Sequence, residues 1–407
     1  MTVPKLRFKE FDGNWSLNKL KQLTDVLKCG VASTPTYVDE GGYPFLSAQN
    51  VSRDGLMNYS KVNHISAEFY KKISKTKLLK GDILYSRVGA SYGVASIFDK
   101  DEEYGVYVSL THIRANKCLD NVFLKLFLNS PKARVQAERG VFQGGGVQNL
   151  NVGVVEEFEL SIPSKEEQTK VAFFLSAVDE KISQLTQKHE LLSQYKQGMM
   201  QKLFSQQIRF KADDGNEFGE WEEKTLNEIA SKQSNKNKDD SITEVLTNSA
   251  TQGIIKQSDY FDREIVTESN LNGYYIVNLN DFVYNPRISV HAPVGPIKRN
   301  KKCLGVMSPL YTVFTVKEGD LTYLEYFFDS NFWHDYVKSV ANSGARHDRM
   351  NITNKDFFDM PILYPCCEEQ TKIANFLSAI DQKIDVVAQQ IEQAKMWKKG
   401  LLQQMFV

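Results

Sequence analysis

Several residue types that can do chemistry are present in this chain, but few stand at the spacings that chemistry requires. Five cysteines, at 29, 118, 303, 366 and 367, and six histidines are scattered through the sequence. None makes the CxxC pairs or close Cys/His clusters that hold zinc, so no metal is expected. The odd number of cysteines reads instead as free, mostly buried thiols in a reducing compartment. No GxxxxGK[ST] loop is present to cradle a nucleoside triphosphate, which argues against a motor ATPase. Asn285-Pro286-Arg287 is the one segment resembling the asparagine–proline loop of adenine methyltransferases. It lacks the second proline and the following aromatic residue, and no glycine-rich cofactor loop precedes it. Gly144-Gly145-Gly146 lacks the strand–loop–helix setting and the following Lys-Ser of a phosphate cradle, and reads as a flexible recognition loop. The expectation is a protein with no catalytic residues, no metal and no cofactor.

Binding is what remains, and length and composition say what kind of body does it. The chain has 407 residues, enough for two domains of about 150 residues plus connecting elements. With 42% hydrophobic and 25% charged residues it has the profile of a globular protein. No apolar run approaches the roughly 20 residues that cross a bilayer, and the start, MTVPKLRFKE, lacks the apolar stretch of a signal peptide. A cytoplasmic protein with no membrane contact is expected. Lys plus Arg and Asp plus Glu both number 50. Residues 1–205 carry 27 basic and 22 acidic groups, and residues 206–407 carry 23 and 28. Any surface facing nucleic acid must therefore be a local patch.

The chain is written twice. EEQTKVAFFLSAVDEKI at 166–182 returns as EEQTKIANFLSAIDQKI at 368–384, with 13 of 17 positions identical at an offset of 202. The offset continues through Tyr195, Lys196, Gly198, Gln201 and Phe204, which face Trp397, Lys398, Gly400, Gln403 and Phe406. A second piece, LRFKEFDGN at 6–14, returns at the same offset as IRFKADDGN at 208–216. Between these pieces the halves diverge, with weak echoes such as GDILYSRV at 81–88 and NDFVYNPR at 280–287. A long-period repeat of this kind sets the architecture: anchor, variable domain, helix, twice over.

The shared C-terminal pieces carry a heptad-like stripe. It runs through Val171, Leu175, Val178, Ile182 and Leu185, and again through Ile373, Leu377, Ile380, Ile384 and Val387. Pro163 and Pro365 stand just ahead, and paired glutamates occupy the first turn, where the helix dipole favours them. Each stripe could cover its own domain, but matching stripes about 40 residues long point to the two helices packing on each other. Two copies of one unit in one chain usually relate by a pseudo-two-fold axis, so an antiparallel pair is expected, with the 7–14 anchor near the end of the second helix.

At this point the residues resemble a known family. A proline, then EEQ, then FLSAVDEKI, occurring twice after variable domains, is similar to the two shared helical regions of specificity subunits of type I restriction–modification systems. The segments STPTY (33–37), YPFLSAQNVSRDGL (43–56), SRVGASYGVA (86–95) and QGGGVQNL (143–150) resemble parts of a target recognition domain. SATQGII (249–255), YNPRISVHAPVGPI (284–297) and SGARHDRMNIT (343–353) take the equivalent places in the second half. The resemblance implies a non-catalytic subunit that reads a bipartite, asymmetric target in double-stranded DNA. It also implies two methyltransferase subunits as partners, with restriction subunits joining through them.

On that reading, the DNA-facing candidates are long polar or aromatic side chains beside glycines in loops, because Arg, Asn and Gln read base edges by paired hydrogen bonds. They are Arg87, Tyr92, Gln143, Gln148 and Asn149 in the first half, and Arg287, His291, Arg346, Arg349 and Asn351 in the second. Asn149 and Asn351 also fit as helix caps. The basic run Lys298, Arg299, Lys301 and Lys302 could touch phosphates or be a solvated loop. Short β-rich stretches such as DILYS and YGVASIF, with helices near 121–139 and 321–341, give an α+β class. The expected layout is a first recognition domain with its anchor at 1–162, a shared helix at 163–206, a second recognition domain at 207–364 and a second helix at 365–407, the helices forming an antiparallel coiled coil. The rival reading is a coiled-coil scaffold whose domains bind proteins or RNA. Specific, salt-sensitive retention on duplex DNA only with a methyltransferase partner present separates the two.

Overall fold

The structure, a computed structural model, describes residues 3–33, 35–39, 41–73, 77–140, 149–260, 271–341 and 348–406. It divides into two compact units, Met1–Gln187 with Ala388–Val407, and Lys188–Val387. The α+β repeat expected from sequence is present, with each long helix beginning in one unit and ending in the other.

In the first unit the chain enters along Ser16–Lys19 and leaves along Glu159–Ile162, two strands paired antiparallel from Ser16 opposite Ile162 to Lys19 opposite Glu159. Between them lies an antiparallel four-stranded sheet in the order Thr24–Cys29, Leu110–Ala115, Ile83–Ser86, Ala95–Ile97. Ile83–Ser86 is buried along its length because both its faces are covered. Alternate side chains of a strand point to opposite faces. Ile83 and Tyr85 accordingly join Phe123 and Phe127, while Leu84 joins Leu46, Phe98 and Leu110. A second four-stranded sheet orders Tyr37–Val38, Asn63–Ile65, Tyr43–Leu46 and Gly105–Val106, its last pair parallel. The helix Asn121–Leu128 is capped by Asp120, whose carboxylate accepts from the Val122 and Phe123 amides.

The second unit repeats this frame. Glu222–Thr225 pairs with Pro361–Tyr364, and Ala230–Gln233, Thr312–Val316, Phe282–Tyr284 and Ile297–Arg299 form a sheet in the same order. Phe282 and Tyr284 face Phe327 and Phe357, and Val283 faces Leu246, Val277 and Met307 on the other side. Asp320 caps Leu321–Asp329 as Asp120 caps its counterpart. The additions differ: here they are two separate strand pairs, Leu246–Ser249 with Gly253–Lys256, and Tyr275–Val277 with Gly305–Met307.

The first long helix spans Lys165–Phe204 and the second Cys367–Met405. In the first unit Val171, Leu175 and Val178 share a core with Leu401, Leu402, Met405 and Phe406. In the second, Ile373, Leu377 and Ile380 share one with Met200, Leu203 and Phe204. Early positions of each helix meet late positions of the other, so within each unit the two run antiparallel. Ile182 and Ile384 are half-buried against the same cores, and Leu185 and Val387 are buried. The stripe also faces the domain: Phe406 packs on Phe123 at 5.0 Å between ring centroids, and Phe204 on Tyr323 at 5.6 Å. Ion pairs Asp179–Lys398 and Lys196–Asp381 (2.7 Å) join the helices. Partly exposed pairs contribute about 1 kcal/mol or less, whereas each fully buried Leu or Ile contributes roughly 1.5–3 kcal/mol. Apolar packing therefore holds the helices together and the ion pairs orient them.

The EEQ motif has a structural cause. Glu167 is almost wholly buried, and its carboxylate accepts from both Arg7 Nε and an Arg7 terminal nitrogen at 2.7 Å and from Trp15 Nε1 at 3.3 Å. Glu369 repeats the contact with Arg209 at 3.1 and 2.7 Å and with Trp221 at 2.9 Å. The paired hydrogen bonds to Glu167 hold the Arg7 guanidinium above its ordinary pKa, and Glu369 does the same for Arg209. Gln168 Oε1 accepts from the Asp120 amide at 2.8 Å, and Gln370 Oε1 from that of Asp320 at 2.8 Å. The Leu6 amide donates to the Gln404 carbonyl at 3.1 Å, which places the first anchor at the end of the second helix.

Removing one member of a buried, doubly hydrogen-bonded pair strands the other charge at a cost of about 3–5 kcal/mol. Arg7→Met is expected to destabilise the first unit by that amount in denaturant unfolding. Arg7→Met with Glu167→Met is expected to cost less than Arg7→Met alone. Equal losses would mean that Glu167 is not held by this pair.

Candidate nucleic-acid interface

In the second unit the sheet strands Phe282–Tyr284 and Ile297–Arg299 are joined by a projecting loop, and its shape is fixed from within. Tyr284 Oη donates to the Val294 carbonyl at 2.9 Å, and Asn285 Nδ2 to the Asn248 carbonyl at 3.0 Å. Gly295 has φ +82°, and a Cβ there would lie 2.1 Å from the Asn285 carbonyl oxygen, so only glycine closes this loop. Ser289 and Ala292 exchange backbone hydrogen bonds of 3.0 and 3.1 Å around a tip carrying Val290, 97% exposed, and exposed His291.

A second segment lies along this loop. The Ile288 amide donates to the Asp348 carbonyl at 3.0 Å and the Met350 amide to the Pro286 carbonyl at 2.8 Å. Arg287 therefore stands directly opposite Arg349. Asp348 lies between them, one carboxylate oxygen 4.0 Å from Arg287 Nε and 3.8 Å from Arg349 Nε. Asn351 is exposed beside them, whereas Arg346 lies outside the described residues. Sequence reasoning missed Asp348, although it stands inside the run ARHDRMN from which both neighbouring arginines were chosen.

The first unit uses its candidates differently. Arg87 is buried, its guanidinium donating to the carbonyls of Leu150 at 2.6 Å and Val108 at 2.9 Å. It ties the segment after residue 148 to the sheet and is turned inward. Tyr92 is buried as well, with its hydroxyl donating to the Ala137 carbonyl and its ring under the Arg134 guanidinium. Asn149 is exposed; Gln143 and Gln148 lie outside the described residues. Neither Asn149 nor Asn351 caps a helix. That role falls two residues on, to Asn151 for Val152–Glu156 and Thr353 for Asn354–Phe358.

Three members of the basic run are engaged by neighbouring side chains. Lys298 pairs with Asp329 at 2.5 Å and Lys301 with Glu325 at 2.7 Å, while Arg299 donates to Asn280 at 3.0 and 2.6 Å. The cysteine reading needs correction. All five are free, but Cys29, Cys118, Cys366 and Cys367 are exposed and Cys303 is half-buried. The four exposed ones stand at a strand end, in a loop and at a helix start, and only Cys303 packs against an apolar core. Among the described residues no group of three or more His, Cys, Asp or Glu could hold a metal ion, and no helix is long and apolar enough to cross a membrane.

Residues 13–194 and 219–396 each match the family described as the type I restriction modification DNA specificity domain. A putative type I restriction enzyme MjaX specificity subunit of Methanocaldococcus jannaschii is 27% identical, the match covering 98% of this chain and 94% of that protein. The type I restriction enzyme MjaVIII specificity subunit of the same organism is 26% identical over 89% of this chain and 85% of its own. Among solved structures, the S subunit of a type I restriction–modification system from M. genitalium superposes with a TM-score of 0.55 at 17% identity. That match covers 100% of this chain and 99% of that one.

Replacing Arg87 removes an internal tie. Arg87→Ala removes the donors to the buried Leu150 carbonyl and the half-buried Val108 carbonyl and is expected to cost about 2–4 kcal/mol in unfolding free energy. Asn149→Ala, at an exposed side chain, is expected to cost under about 0.5 kcal/mol. Chemical denaturation of the two variants checks both, and a thermodynamically silent Arg87→Ala would return that residue to the surface set.

Proposed function

Because the chain belongs to the type I restriction–modification DNA specificity family and is its DNA specificity subunit, we propose that its two variable domains each read one half of a bipartite, asymmetric target in double-stranded DNA. The observation that carries this reading is the contrast inside the repeat. The buried Arg–Glu–Trp contact, the capped helix and the four-stranded sheet are built twice alike, while the added strands and projecting loops differ. Two like frames with unlike loops fit one mode of attachment serving two sequence choices.

The recognition domains are assigned to residues 1–162 and 207–364, and the helices at 163–206 and 365–407 form the body that two methyltransferase subunits hold, with restriction subunits joining through them in the cytoplasm. The chain contributes no catalytic group or cofactor. Adenine methylation and ATP-dependent cleavage belong to the partners. Base contact is assigned to Gln143, Gln148 and Asn149 in the first domain and to Arg287, His291, Arg346, Arg349 and Asn351 in the second. Arg87 and Tyr92, their polar atoms satisfied inside the fold, are assigned to holding those loops.

Purified alone with S-adenosylmethionine and duplex DNA, the chain is expected to leave adenines unmodified. Together with its methyltransferase subunits it is expected to direct methylation to one interrupted sequence, read by genome-wide mapping of methylated adenine with and without the gene. Methylation by the isolated chain, or an unchanged methylation map in the absence of the gene, contradicts the assignment.

A further inference from the structure

The pairing of residues 286–288 with 348–350 creates an arrangement that folding alone does not favour. The two backbone hydrogen bonds flank Arg287 and Arg349, making them the non-hydrogen-bonded kind of antiparallel pair, with Cα atoms only about 4.5 Å apart. Like charges facing each other there repel. Asp348 relieves this only in part, since both guanidiniums approach the same carboxylate oxygen at distances too long for hydrogen bonds. The Arg287 side chain is 68% exposed, that of Asp348 52% and that of Arg349 28%. Neither guanidinium donates to a described residue. Nearby cations behave otherwise, as Lys298, Arg299 and Lys301 are engaged by Asp329, Asn280 and Glu325.

Resting on the DNA-reading function above, we propose that Arg287 and Asp348 together read one G·C base pair in the half-target chosen by the second unit. The donor groups of Arg287 match the two acceptors of guanine, O6 and N7, and the free carboxylate oxygen of Asp348 matches the amino group of cytosine N4. An A·T pair presents no two adjacent acceptors on the purine. A phosphate would welcome the arginines but be repelled by Asp348, so the carboxylate selects a base edge over the backbone. The loop that carries Arg287 is held by Gly295, Asn285 and Tyr284, and the Ile288–Asp348 and Met350–Pro286 backbone hydrogen bonds set Asp348 beside it.

The test uses the full chain with its methyltransferase subunits in a host without other adenine methylation, mapping the methylated sequence for the parent and for Arg287→Ala, Arg287→Lys and Asp348→Ala. The parent's second half-target is expected to contain a G·C pair at which Arg287→Ala and Asp348→Ala both accept other bases, discrimination falling roughly 5- to 150-fold, while the first half-target stays the same. Arg287→Lys keeps the charge but not the paired donors, so a base reader loses selectivity at that position and a phosphate contact does not. The inference is overturned if assembled variants methylate the parental sequence unchanged. It is equally overturned if they weaken on all sequences alike with a shallower salt dependence, the mark of a phosphate contact. A parent complex that methylates no defined sequence overturns the DNA-reading function itself, a different failure.

Discussion

A carboxylate buried at the start of each long helix is the constraint on which the rest depends. Glu167 and Glu369 are at most 1% exposed, and an ionised group so placed must be fully partnered or the helix start cannot be buried there. The partners come from far along the chain: an arginine and a tryptophan in the anchor that precedes each domain. The neighbouring glutamine then binds the backbone at the cap of the domain's main helix. Anchor, domain and long helix are thus joined at one point in each unit, and the direction in which the helix leaves its domain is set there.

With that point fixed, the remaining surface is free to differ. The strand pair through which the chain enters and leaves each domain brings its ends together, so whatever lies between can change without moving the helix. The equivalent sheet edge shows the consequence. In the first unit Arg87 turns inward and spends its donors on Val108 and Leu150. In the second, the corresponding loop carries Arg287 outward beside Asp348 and Arg349. One frame therefore presents two chemistries, which a reader of an asymmetric target requires.

The frame was legible in sequence because repetition and periodicity report on burial. The stripe through Val171, Leu175 and Val178 and its copy at Ile373, Leu377 and Ile380 could be read from spacing alone, and DILYS as a strand from its β-rich composition. Spacing does not say what a stripe touches, and here it meets both the other helix and the domain, through Phe406 on Phe123 and Phe204 on Tyr323. The surface was less legible. Arg87 and Tyr92 stand beside glycines as a reader would, yet in the connection between two sheet strands both side chains turn inward. Cys366 and Cys367 fall at a helix start and are exposed, which hydrophobicity does not reveal. Asp348 escaped notice because a carboxylate is not expected on a surface that meets phosphates, and only its place between two arginines gives it meaning.

If each unit reads one half of the target, the halves must separate when the domains are exchanged. Replacing residues 17–160 with the corresponding domain of a relative leaves both buried glutamate contacts in place, since Arg7, Trp15 and Glu167 all lie outside the exchanged segment. Mapping methylated adenines directed by this hybrid, with the same methyltransferase subunits, is expected to show one half of the recognised sequence changed and the other retained letter for letter. A hybrid that assembles and methylates but alters both halves together would contradict the account.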